Sequence, residues 1–243
     1  MHRGPLNVQR PFYPEQDVCH VYVLHPPGGI VGGDRLQIDI DVGKKARALL
    51  TTPGAGKFYR SDFLHAHQVV TMQVEDQAVL EWLPQETIIY QGARVMSHVN
   101  LGLTNNAGFI GWEILAFGRP AAAEGFDHGE ALLNWCITHN KKPLYIEKML
   151  FDTAAYKARW GLHTASVCGT MFVHPATGTH LQTIRDHIGH TPQRGVTLLD
   201  NLLICRASAD KTGVVRSFFE NVRGLLREDI VHNRDYRPRI WAT

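Results

Sequence analysis

The chain has 243 residues, with 25 basic against 23 acidic side chains and a formal net charge of +2, a balance that gives no field of the kind that recruits nucleic acid. A chain of this length buries about 70% of the surface that its unfolded form exposes, enough for a substantial core. No stretch approaches the roughly 20 apolar residues of a membrane span, and the opening MHRGPLNVQRPF has no apolar signal core, so a cytosolic protein is expected.

Residues 24–61 set the pattern for the rest. Glycine and proline clusters at His25-Pro26-Pro27-Gly28-Gly29, Gly32-Gly33-Asp34 and Thr52-Pro53-Gly54-Ala55-Gly56 mark sharp corners. Between them Leu36, Ile38, Ile40 and Val42 alternate with Gln37, Asp39 and Asp41, which predicts a strand whose two aspartates face solvent. Neither phosphate motif is present. Residues 28–33 have the wrong glycine spacing for a dinucleotide fingerprint, and Gly56-Lys57 is followed by Phe58 where a P-loop needs Ser or Thr. His65 and His67 form an H-x-H pair of the kind found in cupin metal sites. A cupin also needs a glutamate four or five residues beyond and a glycine six before; here Glu75 is eight beyond and Tyr59 six before.

Short strands bounded by turn residues are predicted at 21–24, 46–51, 68–74, 78–83, 87–90, 96–103 and 109–116, then at 130–139, 143–151 and 166–174. Glu113 lies inside the apolar run 109–116 beside Trp112. Glu147 alternates with Tyr145 next to Lys148, the pattern of a solvated strand face. A buried carboxylate costs several kcal/mol unless it is paired, protonated, hydrated or near a metal, so Asp34, Glu113 and Glu147 are the acidic residues to follow. Cys19, Cys136, Cys168 and Cys205 contain no C-x-x-C pair, and reduced thiols are expected. No serine, histidine and acid set carries a nucleophile-elbow signature.

Helix comes late. Leu181, Ile184 and Ile188 have the spacing of a short amphipathic helix that stops near Gly189. A longer one spans about 211–230. There Val214, Val215, Phe218, Phe219, Val222, Leu225 and Leu226 share one arc, with Arg216, Glu220, Arg223 and Arg227 assigned to the opposite side. That stripe is read as a lid over the strands, with Phe218, Phe219, Val222 and Leu225 the candidates for partner contact. No linker or repeat divides the chain, so one domain over 1–243 is expected, mostly β with two C-terminal amphipathic helices.

Several long motifs stand in one order: Gly4-Pro5-Leu6, VQRPFYPE at 8–15, Cys19-His20, LHPPGGIVGGD at 24–34, PGAGKFYRS at 53–61, LEWLPQE at 80–86, Phe117-Gly118-Arg119-Pro120 and Pro238-Arg239-Ile240-Trp241. Together they resemble the urease accessory protein family UreD, also called UreH, over nearly the whole chain. The resemblance implies a layered, β-helix-like scaffold and a non-catalytic nickel-insertion chaperone that works with UreF, UreG and apo-urease. It also implies no tightly bound cofactor and no small-molecule substrate, with nickel(II) in transit through a polar internal passage; any nucleotide hydrolysis would belong to UreG. Asp34, Glu113 and Glu147 match acidic positions of the family's motifs and are the implied passage residues. The family usually begins with further strands before the His-x-Gly-Pro-Leu motif, whereas Met1 here directly precedes His2, which would leave an exposed sheet edge. Two rivals from other classes are a small metal-dependent β enzyme using His65 and His67, and a docking scaffold with no metal route.

Overall fold

The computed structural model describes residues 3–119, 122, 124–189 and 191–242. Pro120 of the 117–120 motif, and Met1 and His2 at the start, lie outside the described residues.

The glycine corners divide the chain into strands that alternate between two sheets. In the first sheet β2 (Cys19–Leu24), β4 (Arg47–Thr51), β7 (Val79–Leu83) and β10 (Gly108–Phe117) pair in parallel. The intervening β3 (Arg35–Val42), β6 (Ala66–Val74), β9 (Arg94–Leu103) and β11 (Glu130–His139) pair in parallel in the second. Each pair of consecutive strands is thus one coil of a solenoid, the layered β-helix-like architecture expected. β5 (Gly56–Phe58) and β8 (Thr87–Ile89) add a short third side, with β8 continuing onto β10. β1 (Asn7–Val8) pairs with β2 at the edge.

Stacking of the coils follows from side-chain alternation. Ile38, Val70, Val99 and Trp135 lie in one register row, and Ile40, Met72, Leu101 and Ile137 in the next, so equivalent positions of four coils fill the same core layer. Asp39 and Asp41 are exposed, as the alternation predicted. The corners need their glycines: a Cβ on Gly29 would lie 2.4 Å from the Tyr59 ring, and one on Gly32 would lie 2.0 Å from Ser61 Oγ.

After four coils the geometry changes. β12 (Lys142–Phe151) folds back antiparallel on β11, while β13 (Val167–His174), β14 (Arg194–Leu199) and β15 (Leu202–Ala209) extend the first sheet antiparallel from β10. Among the described residues three α-helices lie among and after these strands: α1 (Thr153–Lys157), α2 (Gly178–Ile188) and α3 (Thr212–Val231). The last two are the predicted amphipathic pair; the five-residue α1 is an addition. Thr177 caps α2 in a capping box with His180, and Gly189 ends it.

α3 packs across the outer face of the first sheet, burying Val215, Phe218, Phe219, Val222, Leu226 and Ile230 with Trp112 and Met171. The first sheet is therefore covered on both faces, by the second sheet and by helix, which is why β10 reads as a nearly continuous apolar run. The polar side assigned to α3 needs correction. Arg223 and Arg227 do not face solvent; they are 2% and 0% exposed and close on Glu81 of β7, itself 0% exposed. Arg223 Nε donates to Glu81 Oε1 at 2.7 Å, and Arg227 Nη2 donates to Glu81 Oε2 at 2.9 Å. A helix resting on a flat sheet buries more than its apolar stripe, and here the extra arc meets a carboxylate. Burial alone would push Glu81 up, but the two guanidiniums outweigh it and hold the carboxyl below the usual range. Arg227 also reaches Glu15, and Arg223 reaches Asp235, so both ends of the chain join this buried network.

A candidate acidic site between the two sheets

β10 turns Trp112 and Glu113 to opposite faces. Trp112 goes to the helix side, stacked on Phe219 with ring centroids 6.2 Å apart. Glu113 goes to the gap between the sheets, where Trp135 Nε1 of β11 donates to Glu113 Oε2 at 3.1 Å. Trp135 is directly opposite Glu147 on β12, so Glu147 approaches the same indole from the second sheet. Glu113 is in register with Thr170 of β13, and Thr170 with Arg206 of β15. Two carboxylates from different sheets thus meet at one place, with a guanidinium two strands away.

Arg206 Nη2 is hydrogen-bonded to Glu147 Oε1 and donates to the Tyr145 hydroxyl at 2.7 Å. Glu147 Oε2 is buried with no hydrogen-bond partner. The solvated strand face expected for Glu147 is therefore replaced by an inward one, its side chain only 16% exposed. Beside the pair lies a cavity of about 370 Å³, lined by Glu113, Cys168, Thr170 and Arg206 among apolar neighbours such as Met149 and Trp160.

Burial pushes the Glu113 carboxyl up to about 7; the Trp135 indole opposes this by stabilising the anion, and the nearby Glu147 charge reinforces it. Burial likewise pushes the Cys168 thiol up to about 12, with Glu113 adding to the rise. At neutral pH the pocket thus offers a carboxyl, Glu113, poised between its two protonation states, and a neutral thiol, with the Glu147 carboxyl nearby. Such a set can hold a small cation with water completing its shell and can let it go, unlike a closed cage of His and Cys. Among the described residues no group of three or more His, Cys, Asp or Glu is arranged to hold a metal ion.

Asp34 does not line this cavity. Its Oδ2 accepts from Val31 N at 3.0 Å and its own N–H donates to Val31 O at 3.0 Å, so it closes the GGD corner. The three acidic candidates therefore separate into a facing pair and a turn residue. Arg206, Tyr145 and Cys168 were not singled out from sequence. The signal for Arg206 was an arginine interrupting the apolar run LLICRASA of β15.

His65 stands just before β6, which begins at Ala66, and it lies on the same side of the chain as His67, the two lining one shallow cavity. Their ring centroids are 6.4 Å apart, and His65 Nε2 contacts Glu130 Oε1 at 2.8 Å, where Arg94 also pairs. Of the helix residues assigned to partner contact, Phe218, Phe219 and Val222 are buried against the sheet as core; Leu225 is 46% exposed and remains reachable, and Val214, about three turns earlier, is exposed as well. No helix among the described residues is long and apolar enough to cross a membrane.

Comparison with known proteins adds the decisive observation: residues 1–242 match the family described as UreD urease accessory protein. The chain belongs to the UreD family. The urease accessory protein UreD of Alcanivorax borkumensis is 41% identical, covering 100% of this chain and 84% of the relative. That of Microcystis aeruginosa is 40% identical over 99% of this chain and 90% of the relative, and that of Citrobacter koseri 38% identical over 100% and 84%. As a UreD protein the chain has a role in urease maturation, and the relatives' names describe accessory proteins.

Proposed function

We propose that this UreD protein is a non-catalytic scaffold that joins UreF and UreG to apo-urease and passes nickel(II) to it through the gap between the sheets, working in the cytoplasm. The observation that carries this reading is the meeting of Glu113 and Glu147 from opposite sheets, beside a cavity and around one indole. Nickel(II) as cargo must be held well enough to enter and loosely enough to leave. Two carboxylates, one already close to neutral, meet that demand better than a closed chelate. Asp34 contributes by holding the corner at 28–34, and Val214 and Leu225 are surface positions of α3 available to a partner.

The test is urease activity and urease-bound nickel in cells expressing the cognate urease genes with the chain, without it, and with Glu113→Gln plus Glu147→Gln. Loss of loading without the chain, and a drop of about tenfold or more in the double variant while the complex still assembles, supports the passage. Full loading by the double variant refutes the passage and leaves a docking scaffold without a metal route. Full loading without the chain refutes the whole reading.

A further inference from the structure

Among the described residues, the side-chain partners of Arg206 are Glu147 and Tyr145. It contacts Glu147 and the Tyr145 hydroxyl through one nitrogen, Nη2. Its side chain is 46% exposed whereas that of Glu147 is 16% exposed, so the charged group sits outside and above the carboxylate it covers. It also lines the cavity that Glu113 borders. Beneath it, Glu147 Oε2 is buried and unpartnered, an acceptor directed into the protein that the guanidinium does not satisfy.

We propose that Arg206 is the gate of this acidic site: its guanidinium occupies Glu147 in the resting chain, and a divalent cation reaches Glu113 and Glu147 only when that guanidinium swings outward. The inference rests on the reading of these two residues as a nickel passage and deepens it by naming what controls entry. Three features fit a gate better than a structural ion pair. The arginine is exposed enough to move, so leaving Glu147 does not strand its charge in a dry interior. The carboxylate has a spare buried oxygen already available to a second ligand. With Arg206 in place, its positive charge repels a divalent ion; with it withdrawn, Glu147 loses its cation and Glu113 remains on the cavity wall.

The test uses the purified full chain and nickel(II) as the titrant, followed by calorimetry, with thermal denaturation of every variant as the control for folding. Arg206→Gln is expected to tighten nickel binding by about tenfold, which is what a unit charge about 6 Å from a divalent cation is worth even at the dielectric constant of water. Arg206→Lys keeps the charge and is expected to stay near the parent affinity. Adding Glu147→Gln to Arg206→Gln is expected to abolish the gain. A folded Arg206→Gln variant with unchanged or weaker nickel binding overturns the gate, as does an Arg206→Lys variant that tightens as much as Arg206→Gln. These outcomes are separable from failure of the passage itself. If Glu113→Gln plus Glu147→Gln leaves urease loading intact, the passage is wrong; if that variant loses loading while Arg206→Gln leaves affinity unchanged, only the gate is wrong.

Discussion

Replacing Glu113 with glutamine changes the molecule in a way whose sign depends on pH. The folded chain holds the Glu113 proton up to about 7, against an ordinary value of 4.5. Between those two values the folded state binds more protons than the unfolded one, so the contribution of this group to stability is full below pH 4.5 and is lost as pH rises through 7. Glutamine keeps the neutral shape, can still accept from Trp135 Nε1, and never ionises. Its advantage over the parent is therefore about 1 kcal/mol at pH 5 and grows to about 3 kcal/mol at pH 8. Because Glu113 borders the cavity and is not wholly sealed from water, the larger figure is a ceiling. Urea denaturation of the variant and the parent at both pH values measures the difference, and contributions from His20 or His174, which titrate in both proteins, cancel. An advantage that fails to grow between pH 5 and pH 8 would refute a carboxyl held neutral by the gap between the sheets.

Glu81→Gln removes the fully buried carboxylate shared by Arg223 and Arg227, leaving them only Asp235 and Glu15 at the margins of the network, and is expected to cost about 3–5 kcal/mol in chemical denaturation. Gly169→Ala places a methyl 2.7 Å from the Phe219 ring and 2.8 Å from Val215 Cγ1; the helix must lift, lowering stability by about 1–3 kcal/mol and the melting temperature with it. On α3, Phe219→Ala should cost about 3–5 kcal/mol as a core truncation, whereas Leu225→Ala should change stability by less than about 0.5 kcal/mol. Copurification of the accessory complex then shows whether Leu225 matters for docking without confusion from misfolding.

Strand positions were legible because each coil repeats the same alternation between glycine corners. The run at 130–139 coincides with β11, and those at 68–74 and 109–116 each fall a residue or two short of β6 and β10. What alternation does not encode is which strands share a sheet. β3 pairs with β6 and not with its neighbour β4, and only the solenoid family resemblance pointed that way. β14 and β15 escaped because the first opens on Arg194-Gly195 and closes on Leu198-Leu199, with no apolar and polar alternation in its letters, and the second is buried on both faces. Glu113 stood out as an acid in an apolar run, and its carboxyl is buried against the Trp135 indole. The same signal in VLEWL, around Glu81, was passed over, and with it the burial of Arg223 and Arg227; an acid in a strand and a cation in a helix 142 residues later show no relation until the helix docks. Glu147 looked like a surface residue because its neighbour Lys148 is one; its inward placement depends on β12 lying opposite Trp135.

The buried ions around Glu81 also order events in time. At a synthesis rate of about 5–20 residues per second, the 142 residues separating Glu81 from Arg223 take roughly 7–28 s to emerge. For that interval the early coils carry a carboxylate that has no cation to meet it, and the outer face of the first sheet has no helix over Trp112. The outer face of the first sheet is thus completed only when α3 arrives, and a product cut short before residue 223 lacks both cations that Glu81 meets in the finished protein. Completion of the polypeptide is in this way read out by its own core.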